Sequence, residues 1–172
     1  AFTHNHNFNI TGGNKKTTYS ADITYRKEEG TILNTWGERM RMRFDVSHWM
    51  LNDMLKVNLN MVKSRRKSGP VSGSGVYRYA IMRNPTEPIY NEDGSYYENF
   101  GINYYYNPVG MLQEVEGEST NENTRMTGNI TFEPIKGWQT NLMLARNTTM
   151  THGRSFQTSD HYSQVLAYRT GY

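Results

Sequence analysis

Within the stretch Glu38 to Val46, polar and apolar residues alternate from Arg39 onward. Met40, Met42, Phe44 and Val46 fall on one side of the alternation, and Arg39, Arg41, Arg43 and Asp45 on the other. Period two marks a β-strand, whose successive side chains point to opposite faces. One face of this strand is wholly apolar and the other wholly charged. That arrangement suits a barrel wall between hydrocarbon and a water-filled lumen. A soluble antiparallel sheet with one wet face also satisfies it.

The same split recurs along the chain. Phe8 and Ile10 oppose Asn5, Asn7, Asn9 and Thr11; Tyr19, Ala21, Ile23 and Tyr25 oppose Ser20, Asp22, Thr24 and Arg26. Leu55, Val57, Leu59 and Met61 oppose Lys56, Asn58 and Asn60, and Met126, Gly128, Ile130 and Phe132 oppose Arg125, Thr127, Asn129 and Thr131. Trp138, Leu142 and Leu144 oppose Gln139, Asn141 and Asn147, with Met143 and Ala145 blurring the register. Turn residues separate the runs at Gly12-Gly13-Asn14, at Asn52-Asp53 and from Pro134 to Gly137. Lys27 to Gly37 forms a medium loop. Trp49 is placed either in an interfacial aromatic girdle or packed beneath the turn beside it. Residues 1–63 thus read as four strands in two hairpins and 124–147 as a third hairpin. Residues 148–172 read as a loop and the start of a next strand, with weak alternation near Gln164 to Tyr168.

From Ser64 to Asn123 the alternation stops, and this stretch reads as one long loop. Arg65-Arg66-Lys67 is a solvated strand end. Gly69 to Gly75 is glycine-rich but lacks the Lys-Ser/Thr of a phosphate loop, so it is a flexible connection. Short helical turns are predicted over Val76–Met82 and Pro108–Val115. Asn91-Glu92-Asp93-Gly94 is a turn without the alternating ligands of a calcium loop. Asn84-Pro85 and Asn107-Pro108 fix corners, because Pro restricts its own φ and the residue before it. Loops of this length are functional when they are not disordered. The aromatic cluster Tyr96, Tyr97, Tyr104, Tyr105 and Tyr106 makes this one a candidate contact surface.

Short, medium, short, very long and short connections follow one another. Outer-membrane barrels alternate short periplasmic turns with long external loops in this way. The fold expected is an all-β, antiparallel transmembrane β-barrel wall segment of about six strands with one long extracellular loop. Met40, Met42, Phe44, Leu55, Val57, Leu59, Ile130, Phe132, Leu142 and Leu144 should face lipid. Six strands do not close a transporter-sized barrel, so the rest of the wall lies elsewhere.

Composition sharpens this picture. Of 172 residues only 35% are hydrophobic and the mean hydropathy is -0.82, too polar for an ordinary compact core. Aromatics at 13% argue against disorder. No run of about 18 apolar residues supplies a membrane-spanning helix. Cysteine is absent, which removes disulfides and thiol chemistry. The net charge of +3 is dispersed, which speaks against nucleic acid. The pattern starts inside a strand-like run at Ala1 and stops at Gly171-Tyr172, so a piece of a longer chain is expected.

No catalytic constellation emerges. Glu92-Asp93 sits on a turn, and neither Asp22 nor Asp45 has a general-acid partner. His4 and His6 share a strand face and are either a metal pair or polar packing at a strand end. His48, His152 and His161 are isolated. The chain is read as a non-enzyme with no cofactor and no metal.

The sequence also resembles a known family, the SusC/RagA TonB-dependent outer-membrane transporters. The resemblance is carried by His6-Asn7-Phe8-Asn9-Ile10-Thr11-Gly12-Gly13, by Thr18-Tyr19 and Tyr25, and by Glu29-Gly30-Thr31-Ile32 and Arg39. In the long loop it is carried by Asn84-Pro85-Thr86-Glu87-Pro88-Ile89-Tyr90-Asn91-Glu92-Asp93-Gly94-Ser95-Tyr96 and by Tyr106-Asn107-Pro108-Val109. The match runs from about His4 to about Leu144; the family often has Gln where His4 stands. The resemblance implies an early portion of a barrel of about 22 strands, after a plug domain that this sequence does not contain. It implies import of oligosaccharides or peptides across the outer membrane of a Gram-negative bacterium. The implied partners are a SusD-like surface lipoprotein and, through the plug, the TonB complex. Within that frame Arg39, Arg41, Arg43 and Lys56 face the lumen. Asp22 and Asp45 are their local partners, acidic plug groups the larger one, and an anionic substrate the second possibility. The loop tyrosines either pack within the loop itself or meet substrate or the lipoprotein lid. The alternative function is a soluble or surface-attached all-β glycan-binding or adhesin module, which would need no detergent for extraction.

Overall fold

A computed structural model describes residues 1–70, 75–99, 106–159 and 161. In chain order the elements are β1 (Thr3–Gly13), β2 (Thr17–Glu29), β3 (Trp36–Met50), β4 (Leu55–Ser68), α1 (Gly75–Met82), α2 (Pro108–Gln113), β5 (Val115–Ile135) and β6 (Trp138–Gln157). The strands form one antiparallel sheet in the order β1-β2-β3-β4-β5-β6, each paired with its neighbour in sequence.

Local chemistry sets the turns. Between β1 and β2 the Asn14 side-chain oxygen accepts the N–H groups of Lys16 and Thr17, both at 2.9 Å. Gly13 adopts φ +153°, and a Cβ there would collide with the Thr17 carbonyl oxygen. Between β3 and β4, Leu51, Asn52 and Asp53 all have positive φ, at 53°, 53° and 68°. Asn and Asp tolerate that conformation; Leu does so at a cost. Near the β5–β6 turn the register shifts between Phe132 and Ile135, where Pro134 has no N–H to give the ladder.

The register decides which side chains share a face, because directly opposed residues point the same way. Ala21, Phe44, Met61 and Met126 stand abreast, as do Tyr19, Val46, Leu59, Gly128 and Leu144. Val57, Ile130 and Leu142 form another row, and Leu55 pairs with Phe132. All ten residues expected to face lipid therefore lie on one face of the sheet. None is buried; Phe44 is 46% and Leu144 63% exposed. Among the described residues the buried hydrophobics are Val76, Met111 and Leu112, and these belong to the helical loop. The accessible surface is 12630 Å², against about 8,700 Å² for a compact monomer of this mass. A single layer with a continuous apolar face on its outside is a wall, not a globule.

The strands outrun their sequence signal. β4 continues to Ser68, β5 already begins at Val115, and β6 continues to Gln157. The loop expected over 64–123 thus shrinks at both ends, and 148–157 is strand. The β4 and β5 extensions are polar on both faces: in β5, Glu116, Glu118, Thr120 and Glu122 alternate with Gly117, Ser119, Asn121 and Asn123; that of β6 keeps only the widely spaced Met150 and Phe156. Alternation of hydrophobicity vanishes, while cross-strand pairs persist. Arg65 meets Glu122 at 3.2 Å and Arg154 meets Glu118 at 3.4 Å. The alternation near Gln164 to Tyr168 lies outside the described residues. Trp49 corrects the girdle alternative. It pairs with Lys56 on the polar face, and the Lys56 ammonium lies 4.8 Å from its ring centroid.

Candidate functional site

The polar face carries Arg39, Arg41 and Arg43 on β3 and Lys56 on β4, as the alternation predicts. Their surroundings differ. Arg43 Nε donates to Asp45 Oδ2 at 2.6 Å, and a second guanidinium nitrogen reaches the other carboxylate oxygen at 3.3 Å. Asn60 donates to the same carboxylate, and Ser47 donates to Asn58 at 2.8 Å. An open hollow of about 700 Å³ lies over this network, lined by Arg43, Asp45, Asn60, Arg125 and Asn129 among others. Lys56 is taken up by the Trp49 ring. Arg39 and Arg41 have no carboxylate partner among the described residues. The local partnership expected of Asp45 thus goes to Arg43. Asp22 lies directly opposite Arg43 and accepts from Thr24 at 3.4 Å.

Pairing also brings in residues that sequence reasoning left apart. Arg26 and Arg66 flank Arg39 on the two neighbouring strands. Arg66 lay in a basic run read as a strand end, where both faces are polar and no alternation marks the side. Only the ladder shows that Arg66 joins Arg39 while Arg65 points to the opposite face.

The long connection between β4 and β5 holds the other candidates. The helices predicted over Val76–Met82 and from Pro108 form as α1 and α2. Pro108 opens α2, and the Asn107 side chain caps it by accepting from Val109 N–H at 3.1 Å. Asn107 is 1% exposed and closes the loop on itself. Its amide donates to the carbonyls of Ile89 and Tyr97 at 2.7 and 3.2 Å. Its own N–H donates to the Glu98 carboxylate at 2.8 Å. Burial pushes the Glu98 carboxyl above its ordinary value, against the opposing pull of the Asn107 N–H and the Arg83 charge. Asn84 makes the other corner, accepting from the Thr86 N–H and hydroxyl at 3.1 and 2.9 Å. At the Asn91–Gly94 turn, Asp93 accepts from the Ser95 hydroxyl and N–H, and these bonds hold its carboxyl below the usual range.

Of the five tyrosines singled out, Tyr104 and Tyr105 lie outside the described residues. Tyr96 donates its hydroxyl to Gln113 and packs its ring 5.4 Å from that of Tyr90. Tyr97 lies under the Arg83 guanidinium at 5.7 Å. Tyr106 meets Tyr79 edge to face at 5.2 Å and packs on the small core of the helices. These three pack within the loop. Its outward aromatic surface is supplied instead by Tyr77, 71% exposed, and Tyr90, 49% exposed. His4 and His6 stack edge to face at 5.3 Å beside Phe2 and Tyr25. No cluster of three or more His, Asp or Glu ligands occurs among the described residues.

Comparison with known proteins places this geometry. No family model matches the chain. A TonB-dependent receptor of Formosa agariphila is 28% identical over 141 residues, covering 78% of this chain and 14% of that protein. The solved structure of the RagAB peptide transporter matches with a TM-score of 0.69 at 20% identity, over 89% of this chain and 18% of its counterpart. The chain thus spans a small fraction of each relative's length. The chain is thus similar in sequence to part of a TonB-dependent receptor and shares the fold of part of the RagAB peptide transporter structure.

Proposed function

We propose that these residues form part of the wall of an outer-membrane transporter that imports oligosaccharides or peptides with a SusD-like surface lipoprotein. The observation that carries the reading is the register: it gathers the ten apolar strand residues from Met40 to Leu144 named above onto one unburied face, and Arg39, Arg41, Arg43 and Lys56 onto the other. Membrane lipid covers the first face, and the second lines the lumen toward the plug, with Arg39, Arg41, Arg43 and Lys56 among its charges. The end bearing the β2–β3 and β4–β5 connections is extracellular. There Tyr96, Tyr97 and Tyr106 hold the shape of a loop that meets substrate or lid. Energy for import comes through the plug from the TonB complex. The test uses the full-length protein in a cell whose TonB complex is switched on or off. TonB-dependent loss of an oligosaccharide or peptide mixture from the medium is expected, with the protein in the detergent-soluble outer-membrane fraction. Release into buffer without detergent sinks the reading.

A further inference from the structure

One row of opposed residues crosses the whole polar face near its loop-bearing end: Asn5, Arg26, Arg39, Arg66, Asn121 and Thr151. Three arginines on adjacent strands stand directly abreast, and Arg41 follows two residues along β3. All four are exposed. Like charges opposed across a ladder destabilise it. Within two positions of the row along each strand, Glu28 is the one carboxylate on that face among the described residues. It is committed to Arg26 at 2.8 Å. Arg26, Arg39 and Arg66 line a hollow of about 230 Å³ together with Glu28, Gly37 and Glu38, the last belonging to the opposite face of β3 by register. By contrast, the deeper Arg43 has its own carboxylate. The excess positive charge is therefore concentrated at the loop-bearing end and opens into a hollow.

We infer that this row is a binding site for an oxyanion group, a carboxylate or a sulfate, carried by the imported substrate. The inference rests on the transporter reading above and names the substrate's charge. Guanidinium forks bind such groups through paired N–H donors, with more directional specificity than an ammonium provides. The neighbours suit the rest of an oligosaccharide or peptide: in the next row Asn7, Thr24, Ser64, Asn123 and Thr149 flank Arg41 with neutral donors and acceptors. Occupancy by an acidic group of the plug is the competing outcome.

The experiment titrates the detergent-purified full-length transporter with three probes of equal length: a uronic-acid oligosaccharide, a neutral oligosaccharide and an Asp-rich peptide. At least one anionic probe should bind, and more weakly as salt rises. The double variant R39Q/R66Q should weaken that binding about tenfold, with R39K/R66K recovering part of it and the neutral probe unmoved. Which anionic probe responds tells glycan from peptide. Anionic probes that bind no better than the neutral one overturn the inference. So does an unchanged double variant, or a full-length structure with plug carboxylates seated on the row. Heat-shifted gel mobility of the variants confirms that the barrel folded. If the wild-type protein needs no detergent, the transporter reading itself has failed, whatever the probes do.

Discussion

Two loop residues hold more of the structure than their number implies. Asn107 satisfies two carbonyls, caps α2 and hands its N–H to Glu98, all from a position with 1% exposure. Replacing it with Ala takes one donor from each of the Ile89 and Tyr97 carbonyls, leaving them the Tyr97 N–H and the Arg83 guanidinium, and removes the cap. The expected cost is roughly 1–3 kcal/mol of loop stability, read as faster hydrogen exchange from residue 84 to 113 in the full-length protein with strand protection unchanged. Equal loss in the strands would show that the loop does not open on its own. Glu98 gives the loop a pH dependence. Its folded pKa is raised above 4.5, chiefly by burial. The protonated form is therefore favoured by folding: the contribution is full below the ordinary glutamate range and is lost as pH rises through the raised value. Loop protection, corrected for intrinsic exchange, should fall over that window. The variant E98Q keeps an acceptor for the Asn107 N–H and should flatten the curve; a variant curve that still falls assigns the effect to another group.

At the scale of the strand, how much was readable depended on whether the two faces differed. Where Met40, Met42, Phe44 and Val46 oppose Arg39, Arg41, Arg43 and Asp45, the alternation located the strand and its sidedness, and the ladder agrees. Where Glu116 to Thr124 is polar on both sides, β5 was invisible, although its backbone pairs as fully as the rest. The corners at Asn84 and Asn107 were readable because Asn-Pro carries its own steric rule. The arginine row was not, since opposition across strands depends on register, which no single strand encodes. Trp49, for which the sequence leaves a girdle and packing beneath the turn both open, is decided by the same register: its odd position in β3 puts it with Arg43 and Lys56. The two faces make opposite predictions for one substitution. Phe44→Arg in the full-length protein should cost roughly 2–4 kcal/mol if it lies near the bilayer midplane. Asn60→Arg, one row away on the polar face, should cost far less. Unfolding of the two variants in detergent micelles or liposomes by urea measures both; equal costs would mean that the faces are not in different solvents.

The whole sheet carries a further signature, the slant of its apolar band. On β3 the band reaches up through Met42 and Met40, but the residues abreast of these on β4 are Lys63 and Arg65, followed on β5 by Thr124 and Glu122. The next two rows toward the β3–β4 turn are apolar across to β5: Phe44 with Met61 and Met126, then Val46 with Leu59 and Gly128. The band therefore steps toward the short turns on passing from β3 to β4. A flat soluble interface needs no such step. Strands that cross a bilayer at a tilt do, because a level slab of hydrocarbon cuts each successive strand at a different residue. Single Trp reporters in the full-length protein test this in liposomes containing brominated lipid. Met42→Trp, Leu59→Trp and Leu144→Trp should be quenched strongly. Thr124→Trp, in the same row as Met42 but beyond the step, should be quenched weakly, and Asn60→Trp on the polar face hardly at all. Tilt predicts that quenching follows the slanted band rather than the hydrogen-bonded row. If Met42→Trp and Thr124→Trp are quenched alike, the strands do not cross the bilayer at this slant. If Asn60→Trp is quenched as strongly as Leu59→Trp, lipid bathes both faces and the wall does not enclose a lumen.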